Sequence, residues 1–210
     1  MSTKGVKSKN TRDVFINIPF DDKYEPLYLA LIAGLTGLGM VPRCVVEIPS
    51  HINRLQRIFD LIKECPFPIH DLSRVQLSKE KPRCPRFNMP FELGLAVSVS
   101  LGSYNHSWIV FESENRRILK SLSDLNGFDP YIHRGKSSGV LRELRNAFVE
   151  GSFPHPDVKS LTVLHESLVR YSNIVRKEDH LDSLYERNVF KQLVVYSQKE
   201  AKAKKIGDWS

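Results

Sequence analysis

The alternation of short, almost wholly apolar runs with apolar stripes of helical spacing constrains this chain most. Val14-Phe15-Ile16-Asn17-Ile18, closed by Pro19, offers little polar surface to either side of an extended backbone. Such a strand must be covered on both faces, as strands in parallel sheets are. The stripe Leu27, Leu31, Leu35 and Leu38 then has helical spacing, and Gly37 and Gly39 loosen its end. Cys44-Val45-Val46 reads as a second strand. Ile52, Leu55, Phe59 and Ile62 mark a second helix ended by Pro66, and residues 67–72 read as a third strand. A polar, proline-bearing loop from Arg74 to Asn88 leads to Pro90, which suits the first turn of a helix running to about Ser100. Trp108-Ile109-Val110-Phe111 is a fourth strand, and Leu141, Leu144 and Phe148 line a further helix. This alternation predicts an α/β domain over residues 12–150, a parallel sheet covered by helices on both faces.

Residues 151–156 read as a linker. Beyond it, Leu161, Leu164, Leu168 and Tyr171 predict one helix. Residues 179–196 predict another, with Leu181, Leu184 and Leu193 on its apolar side. They make a helical appendage over 157–200 that packs on the α/β domain or on a second subunit. The net charge of +7 sits at the ends: residues 1–12 carry four basic residues and no acid, and residues 199–210 carry four lysines against two acids. The segments 1–11 and 201–210 are expected as solvated basic tails. They would lend weak, salt-sensitive attraction to an anionic polymer without making the near-neutral body a nucleic-acid reader. No stretch approaches the roughly 20 apolar residues of a membrane helix, and the basic start has no apolar run behind it. Cys44, Cys65 and Cys84 are widely spaced with no CxxC pattern, so no metal is expected, and free thiols suit a reducing, cytoplasmic setting.

In parallel sheets ligands bind beyond the carboxyl ends of the strands. That rule draws attention to Asp21, Asp71 and Glu92, each just past an expected strand or at the next helix start. Glu92 falls in the first turn of an otherwise apolar helix, where the helix dipole alone would favour an acid. Gly94 and Ala96 are small enough for a ligand or another backbone to come close. His70 reads as a strand-end histidine held by a backbone partner, or as a general base beside Asp71. Asp129 and Tyr131 would sit past the last strand and touch a ligand. Gly135-Lys136-Ser137 lacks the earlier glycine of a phosphate-binding loop, since position 130 is Pro130.

Three segments together carry a resemblance. They are Asp13-Val14-Phe15-Ile16-Asn17-Ile18-Pro19-Phe20-Asp21, His70-Asp71-Leu72-Ser73, and Phe91-Glu92-Leu93-Gly94-Leu95-Ala96. In this order the chain resembles the nucleoside 2-deoxyribosyltransferase family over roughly residues 12–150, and the related Toll/interleukin-1 receptor (TIR) type domains of bacteria. The resemblance implies a flavodoxin-like sheet and cleavage or exchange at the N-glycosidic bond of nucleosides, or of NAD in the TIR branch. It implies no cofactor, the nucleotide or NAD being substrate. Glu92 would be the nucleophile or the stabiliser of the sugar cation, because loss of a base leaves an oxocarbenium-like centre that a carboxylate stabilises or traps. Asp71 would bind a sugar hydroxyl or the base. The loop Asn17 to Tyr24 would line the pocket, with Phe20, Asp21 and Tyr24 as base contacts. The chain departs from the transferases just before Glu92, where Arg86-Phe87-Asn88-Met89-Pro90 replaces a segment that usually carries an Asp. Asn88 brings no charge there and Arg86 brings the opposite one, which suits a phosphate-bearing substrate such as NAD or a nucleotide. In bacteria such domains often serve as anti-phage defence effectors. Two other readings stand beside this enzyme: a catalytically silent nucleotide-binding sensor, and an oligomeric assembly subunit that meets its own copies or a partner protein through residues 157–200.

Overall fold

The computed structural model describes residues 12–48, 53–75, 81, 83–103, 105–125, 127–150 and 153–209. The N-terminal basic segment, Ile52 and residues 151–152 of the expected linker lie outside them. Five strands, β1 (Asp13–Asn17), β2 (Val41–Cys44), β3 (Ile69–Asp71), β4 (Ile109–Glu112) and β5 (Tyr131–Ile132), form a sheet in the order β2-β1-β3-β4-β5. Every pairing is parallel. This is the flavodoxin-like α/β arrangement. From β1 the chain steps out to β2 and then crosses back past β1 to β3. The order reverses between β1 and β3, and there a crevice opens at the carboxyl ends of the strands.

Helices α1 (Glu25–Gly37) and α5 (Ser137–Ala147) cover one face of the sheet; α2 (Arg54–Glu64) and α3 (Asn88–Leu101) cover the other. The alternation of side chains along a strand separates the two. Asn17 and His70 meet Met89 of α3, whereas Asp71 points the other way and meets Tyr24 at the start of α1. The short α4 (Arg117–Ser121) puts Ile118 into a small second core with Leu72, Met89, Leu93 and Val110.

α1 is buried on every side from Leu27 to Gly37, as a helix apolar all round must be. The sheet covers its inner side. Its outer side is covered by α6 (Val158–Glu178) and α7 (Arg187–Ala203), the two helices expected as an appendage. Thr36 Oγ1 lies 2.6 Å from Ser197 Oγ, and Tyr28 stacks on Phe190. A Cβ on Gly37 would come within 2.3 Å of the Leu161 side chain, so the glycine permits the approach. Leu161, Leu164, Leu168 and Leu193 are fully buried in the same core as β1, each contributing about 1.5–3 kcal/mol.

Several element boundaries differ from the sequence expectation. β2 lies at Val41–Cys44, ahead of the apolar Cys44-Val45-Val46. An edge strand tolerates Pro42, and Arg43 is held there by Asp13 at 2.8 Å. Val45 then enters a 3₁₀ turn (Val45–Glu47), because the Glu47 carboxylate accepts from the Cys44 N–H at 2.8 Å. β5 is a two-residue edge strand that includes Tyr131, so Tyr131 is a strand residue and does not lie past one. α7 begins at Arg187 and not near residue 179. His180 takes a left-handed backbone, φ 51°, and the following loop tucks Leu184 into the core. The C-terminal basic segment, expected as a solvated tail, is docked. Ile206 is buried, the Trp209 indole donates to Thr36 O at 2.8 Å, and Arg12 donates to Asp208 O at 2.8 Å. Its lysines 202, 204 and 205 stay exposed. No described helix is long and apolar enough to cross a membrane.

Candidate functional site

Two polar centres lie at the carboxyl edge, one on each face of the sheet. The first is closed. Asp71 ends β3 with no exposed surface. Its Oδ2 accepts from the Tyr24 hydroxyl and lies 3.1 Å from His133 Nε2. Its Oδ1 accepts from Ser73 N at 2.8 Å and from the Ser73 hydroxyl. The Gly135 N–H donates to His133 Nδ1 at 3.0 Å, which places the ring proton on Nε2. Burial would raise Asp71, but hydrogen bonds from His133, Ser73 and Tyr24 outweigh it and hold the carboxyl below its ordinary range. Burial, then the Asp71 charge, push the Tyr24 phenol well above its usual value.

A serine, a histidine and an aspartate thus meet, yet not as a nucleophilic triad. A triad needs serine and aspartate on opposite ring nitrogens. Here both face Nε2, with Ser73 Oγ at 2.8 Å, and all three side chains are buried. The cluster ties β3 and the turn after β5 to the start of α1.

The second centre is an open cleft of about 250 Å³ between the β1–α1 loop and the starts of α2 and α3. It brings together Asn17, Phe20, Arg86, Asn88, Met89 and Glu92 of the residues singled out from sequence, with Ile18 and Pro19 of the expected lining loop, and adds Arg54 and Val45. Asn17 donates from Nδ2 to His70 Nδ1 at 2.9 Å and to Met89 O at 3.3 Å, so its amide is fixed in orientation. His70, wholly buried, is pushed down to about 3 by burial and by His106, and is therefore neutral. Its partner is the Asn17 side chain on Nδ1, not a backbone group, and its buried Nε2 has no hydrogen-bond partner among the described residues.

Glu92 is the outlier. α3 begins at Asn88, so Glu92 stands in the second turn, not the first as its spacing from Pro90 suggested. A dipole-stabilised first-turn acid would be exposed and acidic. Glu92 is 7% exposed, its Oε2 has no partner among the described residues, and burial pushes it up to about 7 despite the opposing charge of Arg54. Buried polar atoms without partners are rare and call for a reason. Gly94 is exposed, with open space about its absent Cβ, and Ala96 is in the core; neither lines the cleft.

Three expected contacts are not available to this cleft. Asp71 and Tyr24 lie across the sheet in the closed cluster. Asp21 sits at the rim with its oxygens on Arg74 at 3.3 Å and Arg86 at 3.0 Å. Arg54 was missed by the sequence reading. A cation in the first turn of a helix opposes the dipole, and that local misfit was a usable signal. Arg86 also borders a neighbouring, mainly apolar cleft of about 270 Å³ lined by Leu72, Pro85, Phe87, Ile118 and Leu122. Among the described residues no group of three His, Cys, Asp or Glu side chains is arranged to hold a metal. No protein-family model and no curated protein sequence matches the chain.

Proposed function

We propose that the chain cleaves or transfers at the N-glycosidic bond of a nucleoside, nucleotide or NAD, with Glu92 beside the anomeric carbon. The observation that carries this reading is Glu92 itself, a buried carboxyl with one oxygen unpartnered, opening on a cleft flanked by Arg54 and Arg86. Departure of a base leaves positive charge on the sugar. A carboxylate already stripped of water stabilises or traps that charge more strongly than one in solution. Perturbed, poorly solvated acids in clefts cluster at catalytic sites for this reason. An enzyme of this kind would deplete a nucleotide or NAD pool, which is how a role in anti-phage defence would follow. Release of free base from nucleosides, nucleotides and NAD, compared between wild type and Glu92→Gln, tests it.

The fate of the other acids favours a second reading. Glycosidic cleavage ordinarily uses two carboxyl groups, and this cleft holds one, with Asp21 tied to two arginines and Asp71 on the far face. A cationic leaving base such as that of NAD needs no second acid. Any other base does, and then the cleft would be a nucleotide sensor without turnover. Ligand recovered intact, bound equally by wild type and Glu92→Gln, would establish the sensor. The apolar stripes that motivated an assembly role for residues 157–200 are used against α1.

A further inference from the structure

We infer that the ligand of the Glu92 cleft carries a phosphate held between Arg54 and Arg86, so that the site selects nucleotides over free nucleosides; this rests on that cleft being the substrate site. Arg54 opens α2, where Asn53 already caps the helix by accepting from Gln56 N at 3.1 Å. A cation at that position gains nothing from the helix, and no acid pairs with it among the described residues. Arg86, on the loop before α3, gives only Nη1 to Asp21. Asp21 divides its single charge between Arg86 and Arg74, so the rim keeps an excess of positive charge. The start of α3, at Asn88 and Met89, also faces the cleft and has no side-chain cap. Helix starts of that kind favour anions.

The arrangement of acid and cations supports the same conclusion. Neither guanidinium forms an ion pair with Glu92, whose buried Oε2 has no hydrogen-bond partner among the described residues. An acid and two arginines lining one cleft without pairing leave room for a group between them. A sugar against Glu92, with its phosphate reaching the guanidinia, satisfies all three. Arginine suits this task better than lysine because its planar fork meets two phosphate oxygens at once.

The test is equilibrium binding, by calorimetry at physiological salt, of the common nucleosides and their 5′-phosphates in matched pairs. Wild type, Arg54→Met, Arg86→Met and, as a control, Arg142→Met are compared. Arg142 is exposed on α5, beside Glu143 and outside the cleft. The expected result is at least one nucleotide binding about tenfold or more tighter than its nucleoside, as charge-assisted hydrogen bonds require. That preference collapses towards parity in both cleft variants and persists in Arg142→Met. The inference is overturned if no nucleotide outbinds its nucleoside, if neither binds, or if the preference survives in either Arg54→Met or Arg86→Met. Free-base release is measured alongside. Nucleoside cleavage indifferent to phosphate would sink this inference alone, and nucleotide bound tightly but never cleaved would sink the glycosidic reading alone.

Discussion

At the scale of single residues the two carboxyls at the sheet edge behave oppositely, and pH separates them. Glu92 is raised from 4.5 to about 7 in the folded chain. Above about 4.5 the unfolded chain ionises there while the folded chain resists, so Glu92 lowers stability as pH climbs to about 7 and by a constant amount beyond, roughly 3 kcal/mol. Urea melts should therefore show Glu92→Gln more stable than wild type at about pH 8 and no different at about pH 4. Equal stability at both would mean that the carboxyl is solvated. For catalysis the ionised form is required, so turnover should rise through an apparent pKa near 7. Asp71 has the opposite sign. Its pKa is lowered, so its stabilisation is present above the unfolded value and lost as pH falls through the folded one. Asp71→Asn should destabilise by about 3–5 kcal/mol, because it breaks a buried charged hub. A variant as stable as wild type would reopen Asp71 as a ligand-binding group.

Between elements, the decisive contact is the layer that α6 and α7 lay on α1. Phe190 packs on Tyr28 with 2% exposure, and Phe190→Ala should cost about 3–5 kcal/mol. Removing residues 157–210 would uncover the outer side of α1, and the truncated chain should aggregate; a soluble, folded remainder would show that α1 tolerates water. The turn from β5 into α5 is a second tight junction. A Cβ at Gly139 would lie 2.1 Å from His133 O and 2.8 Å from His133 C, both backbone atoms that cannot swing aside. Gly139→Ala should lose about 1–3 kcal/mol or more in denaturant melts, and it should disturb the Asp71 cluster through His133. The elements legible from sequence were those whose apolar pattern is complete, such as β1, β4 and α6. β2 was misread by a few residues because its core-facing signal is interrupted by Pro42 and Arg43, which only an edge strand accepts. β5 has two residues and no apolar run, so sheet pairing alone defines it. The wholly buried α1 showed only one of its apolar sides as a stripe, since the covering helices come from more than 120 residues further on.

For the whole molecule, the fold class was readable because strands apolar on both faces admit few architectures. The site was readable only in part. The carboxyl-edge rule drew attention to Glu92, the family resemblance added Asn17 and Phe20 and the departure from it Arg86, and these four share a cleft. The rule does not say on which face of the sheet a residue lies. Asp71 and Tyr24 therefore fell on the wrong side, a matter of strand register that sequence spacing does not reveal. Arg54 comes from a different element, and only packing brings it beside Glu92. The central claim is that Glu92 serves cleavage at an N-glycosidic bond, and chromatography of free bases tests it most directly. Purified full-length wild type and Glu92→Gln are incubated with nucleosides, their 5′-phosphates and NAD. Base released by wild type, and reduced in Glu92→Gln by a factor on the order of 10²–10⁴, is the predicted result. Equal release by both proteins, or ligand bound by wild type and returned intact, would contradict it.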